Sequence, residues 1–214
     1  MVQLKKFIFN PLQVNCWLLY DDDGEGILID PSCQFQDEID ELRTFIDENK
    51  IRLRVMVNTH GHFDHLFGAG RIKELYNPEF LIHPEDERFL EFAGEQAGAF
   101  GFRLDRPVPR PDRFLEDGLV IGAGNVKLQV IHVPGHSRGG VALYEKARGW
   151  LFTGDTLFAG GIGRTDLPGG DYDQIMASIN TRLLVLGDDI RIFPGHGGDS
   201  TIGEERQSNP FLVV

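Results

Sequence analysis

Within Thr59-His60-Gly61-His62-Phe63-Asp64-His65, three of the chain's seven histidines and one aspartate fall in six consecutive positions, directly after the apolar run Val55-Met56-Val57. All four are metal-ligand types, and a solvated loop that is merely histidine-rich seldom takes this pattern by accident. The spacing also restricts the backbone. Residues two apart lie on opposite sides of a helix but share a face in extended chain, so His60 and His62 grip one ion together only from a strand-like or looped segment. They are expected to leave the end of a strand over 53–58. Asp64 and His65 follow after the chain has begun to turn toward a helix over 66–76, so they face a different point in space. One loop would then serve two metals.

The same device recurs three times, as an apolar run that stops at a glycine-containing turn carrying a histidine or aspartate. The runs are Gln129 to His136, Trp150 to Asp155 and Ile190 to His196. Buried strands that end in functional loops suit a site, because the sheet holds the positions while the loops stay polar and accessible. A lone histidine beside a turn is more often a hydrogen-bonded structural residue, so His136 or His196 alone carries little weight. Together with the first cluster they make five histidines and two aspartates, enough for two ions with an open position. His83 and His132 lie in apolar strand-like segments without such turns and are assigned to structure.

The remaining chain sets the frame. Strands are expected around 3–9, 14–20, 26–30, 53–58, 79–83, 119–121, 126–133, 140–145, 150–153 and 190–193, with helices over 35–49, 66–76, 84–97 and 171–186. Consecutive strands mixed with strand–helix alternation predict a mixed sheet covered by helices. Residues 1–214 read as one domain without a linker, and 103–117, with Pro107, Pro109 and Pro111 among charges, reads as an extended surface excursion. Cys16 and Cys33 are expected to be buried reduced thiols. The N-terminus lacks a secretion signal and no stretch is long and apolar enough to span a bilayer, so a cytoplasmic location is expected. The formal charge of −12, from 33 acidic and 21 basic residues, argues against nucleic acid or an anionic membrane as partner. Two divalent cations would bring about +4 against two ligand carboxylates and one hydroxide, which leaves the pocket near about +1 and able to attract an anionic substrate.

Asp30 in Leu-Ile-Asp-Pro, His60-x-His62-x-Asp64-His65, His136 in Pro-Gly-His-Ser, Asp155 in Thr-Gly-Asp-Thr and His196 in Pro-Gly-His-Gly together resemble the signature blocks of the metallo-β-lactamase-fold hydrolases. Within that superfamily the chain is most similar to the glyoxalase II group, the hydroxyacylglutathione hydrolases, and to its short bacterial members. The resemblance implies an α/β four-layer αβ/βα sandwich with mixed sheets and a metal site at one edge between them. It implies that His60, His62 and His136 hold one ion, that Asp64, His65 and His196 hold the second, and that Asp155 bridges them. Asp30 would orient the metal loop, since a ligating histidine needs its other ring nitrogen anchored. The cofactor would be two divalent ions, zinc first, although imidazole and carboxylate also accept iron and manganese. A water bridging the ions would have its pKa lowered from 15.7 toward roughly 7 and would attack a thioester or ester carbonyl, with Asp64 as both ligand and proton acceptor.

Arg164, in Gly163-Arg164-Thr165-Asp166, lines up with the basic residue by which the glyoxalase II group binds a carboxylate of glutathione, and it is the candidate substrate contact. Asp166 and Gly198 stand where that group has tyrosines, and the C-terminal helical extension with further basic contacts is missing. These departures predict a wide, open pocket acting on several small-molecule thioesters. Persulfide dioxygenases share the fold but bind one iron through residues matching His60, His136 and Asp155; the complete second ligand set favours a hydrolase. A lactonase or ester hydrolase would differ in pocket rather than in metals. Many dizinc β-lactamases carry a cysteine near the place of Asp155, which disfavours that activity.

Overall fold

Strands that are apolar on both faces must be covered on both, and this requirement explains the layering. In the computed structural model, which describes residues 1–213, β2 (Val14–Asp21) turns Cys16 and Leu18 to one side and Trp17 and Leu19 to the other, all buried. It belongs to a six-stranded sheet in which β1 (Val2–Phe9), β2 and β3 (Glu25–Ile29) are antiparallel neighbours. Then β4 (Arg52–Val57), β5 (Glu79–Ile82) and β6 (Arg113–Phe114) add in parallel. Parallel neighbours need crossovers. These are α1 (Gln36–Glu48), α2 (Ala69–Tyr76) and α3 (Glu87–Ala99), and α1 buries Ile39, Leu42 and Ile46 at helical spacing in the same cluster as Leu28, Met56 and Phe80.

The second sheet runs β7 (Val120–Ala123), β8 (Val126–His132), β9 (Val141–Glu145) and β10 (Trp150–Gly154) as an antiparallel meander. A short ribbon, β11 (Leu157–Phe158) with β12 (Gly161–Ile162), and α4 (Tyr172–Ser178) lead to β13 (Arg191–Pro194), which joins β10 in parallel. β14 (Ser200–Thr201) and α5 (Ile202–Ser208) follow. Between the two sheets lie Trp17, Ile27, Val57, Leu128, Phe152 and Phe193, with the Trp17 and Phe193 rings 5.1 Å apart. Ala142, Leu151 and Ile192 face the other way, in a cluster with Ile175, Ile179 and Ile202. Three apolar interfaces therefore separate four layers, as the αβ/βα expectation requires.

Element boundaries differ from the periodicity in instructive ways. The helix expected from 66 begins at Ala69, because Phe63–His65 winds as a tight 3-10 turn and the Gly68 N–H is taken by the Pro31 carbonyl at 2.8 Å. The helix expected over 171–186 ends at Ser178 and loosens into a wider π turn over Ile179–Leu183. The 103–117 excursion closes by adding β6 to the first sheet and burying Leu115 completely. Two- and three-residue pairings leave no periodic trace, so β6, β11, β12 and β14 were not legible.

Strand direction places the loops. The carboxyl ends of β3, β4 and β5 share one edge of the first sheet, and those of β8, β10 and β13 share one edge of the second. The two edges meet: Val141 N–H donates to the Thr59 carbonyl at 2.8 Å, and Asn15 N–H to the Gly195 carbonyl at 2.7 Å. Among the described residues, no helix is long and apolar enough to cross a membrane.

Candidate metal centre

Asp30, just past β3, sits in the left-handed region at φ 53°. Its carboxylate accepts from the Thr59 N–H at 2.7 Å and the Thr59 hydroxyl at 2.8 Å, and lies 3.1 Å from His65 Nδ1. Asn58 closes the loop by donating from Nδ2 to the His65 carbonyl at 2.9 Å. The loops of the second sheet approach so closely that two positions admit only glycine. A Cβ on Gly154, at φ +50°, would lie 2.6 Å from Thr59 Oγ1, and one on Gly195 would lie 2.2 Å from Asp155 Oδ1. Each glycine immediately precedes a candidate ligand, Asp155 and His196.

All seven predicted ligands meet at this edge. Their donor atoms form three overlapping groups, His60–His62–His136, His60–His65–Asp155 and Asp64–His65–His196, with atoms in each group within 4.8 Å of one another. His62 Nδ1 and His136 Nε2 are 2.9 Å apart, and His65 Nε2 and His196 Nε2 are 3.4 Å apart. Asp155 stands between the groups. Its Oδ1 is 3.5 Å from His65 Nε2, and its Oδ2 is 3.7 Å from His136 Nε2 and 3.5 Å from His196 Nε2.

The far side of three of the rings is held. His136 Nδ1 faces the Arg164 carbonyl at 2.8 Å, His196 Nδ1 the Leu12 carbonyl at 3.0 Å, and His60 Nδ1 the Thr59 hydroxyl at 3.1 Å. A proton placed there leaves a lone pair on the nitrogen that points inward. His60 Nε2 and Asp155 Oδ1 are buried and have no hydrogen-bond partner among the described residues. Orphaned buried polar atoms cost about 1–3 kcal/mol each, so converging imidazole and carboxylate donors without partners fit a divalent cation.

Charge follows the same division. Burial, reinforced by neighbouring histidines, drives His60 far below the usual imidazole range, and burial and His136 push His62 down to about 4. Burial also opposes a charge on His65, yet Asp155, Asp30 and Asp64 outweigh it and raise that ring well above its usual value. For Asp155, burial is outweighed by His65, His60 and His196, which hold the carboxyl far below the ordinary range. Asp64 is lowered and His196 raised against burial by the same mutual attraction. Ionised carboxylates and neutral His60 and His62 are the protonation states that ligation needs, whereas His65 and His196, both raised, would give up a proton when an ion binds.

A cavity of about 350 Å³ opens onto these groups, and its wall is largely apolar: Leu12, Phe63, Phe89, Phe100, Leu167 and Pro168. Phe89 packs edge-on against His62, with ring centroids 5.3 Å apart. Arg164 is at the rim, half exposed, and both arms of its guanidinium bond Asp166 at 2.7 Å. His83 and His132 lie outside the three groups, their rings stacked 4.2 Å apart. Asp86, which no sequence motif singles out, has a fully buried carboxylate that accepts from Gly61 N–H, Ser137 Oγ and Gly139 N–H. In Pro84-Glu85-Asp86 it reads only as an acidic helix start.

The metallo-beta-lactamase superfamily model matches residues 9–196. The hydroxyacylglutathione hydrolase GloC of Haemophilus influenzae is 41% identical over 203 residues, covering 94% of this chain and 93% of that protein. Among solved structures, TTHA1623 in a di-iron-bound form is 36% identical with a TM-score of 0.88, covering 97% of this chain and 100% of that one. BLEG-1 B3 metallo-beta-lactamase is 32% identical with a TM-score of 0.87, covering 99% and 100%.

Proposed function

This chain belongs to the metallo-beta-lactamase superfamily, and on that premise we propose that it is a dinuclear metal-dependent hydrolase cleaving thioesters of the hydroxyacylglutathione type. The observation that carries the reading is the convergence of two complete donor sets with Asp155 between them. His60, His62 and His136 would hold one ion, Asp64, His65 and His196 the other, and Asp155 both. Zinc suits these donors, as does iron, the metal of the di-iron relative. Such ions, when bound, activate water at neutral pH and polarise the scissile carbonyl.

The chain's own residues do the rest. Asp30 accepts both Thr59 donors and sets its carboxylate 3.1 Å from the outer nitrogen of His65, so that once an ion displaces the inner proton the ring would present its lone pair inward. Asp64 faces the cavity with Oδ2 3.5 Å from His196 Nε2, and its carboxylate would take the proton of the attacking water. The apolar wall would keep bulk water from one side of a bound carbonyl and strengthen the electrostatic contacts there.

The test uses protein purified without added metal, analysed for metal content. It is then assayed for S-lactoylglutathione hydrolysis, persulfide-dependent oxygen uptake and β-lactam cleavage. Two ions with thioester cleavage are expected. One iron with oxygen consumption, or β-lactam turnover in place of thioester turnover, would overturn the reading.

Arg164 would receive a substrate carboxylate at the rim. Because it is half exposed and already paired with Asp166, that contact is worth only about 1 kcal/mol. Arg164→Ala is therefore expected to raise KM for a glutathione thioester by roughly threefold to tenfold with little change in kcat. Asp166→Ala, which frees the guanidinium, is expected to lower KM. Steady-state kinetics on both variants decide the point, and an unchanged KM in each would retire Arg164 as a substrate contact.

A further inference from the structure

Asp86 is fully buried, yet it touches neither the cavity nor any ligand group. It lies between β5 and α3, on the first half of the chain. Its Oδ2 accepts from the Gly61 N–H at 2.8 Å and the Ser137 hydroxyl at 2.7 Å, and its Oδ1 accepts from the Gly139 N–H at 2.7 Å. Gly61 sits between His60 and His62; Ser137 and Gly139 follow His136. The carboxylate thus bonds, at once, the two loops that bring the His60–His62–His136 group together from opposite sheets. We propose that Asp86 is a positioning residue for that group alone, a clamp that sets His62 Nδ1 and His136 Nε2 2.9 Å apart.

A buried carboxylate is a costly way to fill space, and an apolar residue of similar volume is often neutral or stabilising. What the carboxylate adds is direction. Three charge-assisted bonds hold the backbone on both sides of the His62–His136 contact, which a methyl group cannot do. Gly139 fits the same purpose, since a Cβ there would lie 2.8 Å from Asp86 Cγ and would push the His136 turn off the carboxylate. None of the three donors belongs to the Asp64–His65–His196 group, in which Asp30 lies 3.1 Å from His65 Nδ1. Asp30 also holds Thr59 beside His60, so what Asp86 alone supplies is the tie from the His60–His62 loop to the His136 turn.

The inference rests on the two-ion reading, and cobalt(II) titration of chelator-treated protein, followed by visible absorption, separates the two. In a His196→Ala background, which spares the His60–His62–His136 group, Asp86→Ala is expected to raise the Kd of the remaining ion about 10- to 100-fold. Asp86→Asn keeps one acceptor oxygen and is expected to cost less, and Ser137→Ala, which removes a single donor, only severalfold. In a His62→Ala background, which spares the other group, all three changes are expected to leave Kd within about twofold. Should Asp86→Ala fail to fold, Asp86→Asn and Ser137→Ala carry the same comparison. Equal losses in both backgrounds, or none in either, with two ions still bound by the unmodified protein, would overturn the clamp alone. Fewer than two ions in the unmodified protein would sink the two-ion reading and the clamp with it.

Discussion

Asp155→Ala is expected to remove both ions together and to lower kcat/KM by at least about a thousandfold, equivalent to about 4 kcal/mol of lost transition-state stabilisation. The size follows from position. In the proposed assignment every other ligand would serve one ion or the other, whereas the Asp155 oxygens lie within 3.7 Å of nitrogens on His65, His136 and His196. Deleting that carboxylate takes the anion from beside His136 and leaves the His65–His196 pair, 3.4 Å apart, with Asp64 as its one remaining ligand carboxylate. Asp155→Asn, which keeps the shape and one oxygen but not the charge, is expected to retain one ion weakly and to fall between the two. Metal analysis and steady-state kinetics on both variants are the measurement. Two ions retained by Asp155→Ala, with activity within tenfold of the parent, would show that the site does not depend on a shared carboxylate.

Metal-free protein is expected to lose stability as pH falls from about 6.5 to about 4. His62 is held near 4 in the folded chain by burial and by His136, against a usual value of 6.5. Between those values the unfolded chain binds a proton at this position that the folded chain does not, so stability rises with pH across the window. The displacement corresponds to on the order of 3 kcal/mol. His60 is displaced in the same direction, and His83, lowered to about 4 by burial and by His132, adds to the slope. His65 and His196 are raised, so across this window they are protonated in both states and contribute a constant; that contribution is lost as pH rises through their folded values. Asp64 and Asp155 are lowered, so what they contribute is lost only on further acidification. Urea midpoints of chelator-treated protein between pH 4 and 6.5 test the sign. A flat profile, or one rising toward acid, would mean that these buried rings are not kept neutral. Metal-loaded protein should show a steeper fall, because protonation of the ligands also releases the ions.

The convergent side chains were legible as candidate ligands because the chemistry needs few residue types. Three histidines and an aspartate in six positions stand out in a chain with only seven histidines, and each later ligand sits at a glycine turn that ends an apolar run. The layers were legible for a related reason, since two-sided apolar strands such as β2 and β4 cannot exist without cover on both faces. Short pairings were not. β6 and β14 are two residues each, and their partners, not their own composition, make them strands.

Asp86 shows the limit most clearly. Nothing near it in sequence separates it from Glu85 or Glu87, which are exposed helix-start acids, because its three partners lie 25, 51 and 53 positions away. The pocket wall is similar: Leu12, Phe89 and Leu167 come from three separate segments and become one apolar surface only when the edges of the two sheets meet. Local spacing determined which atoms are able to bind a cation and which faces of each strand must be buried, since both depend on contacts a few residues apart. The distances between donors, the shifted protonation of His60, His62, His65 and His196 and the carboxylates that hold the loops were decided by the tertiary structure alone. Those quantities depend on burial and on charges brought together from remote parts of the chain.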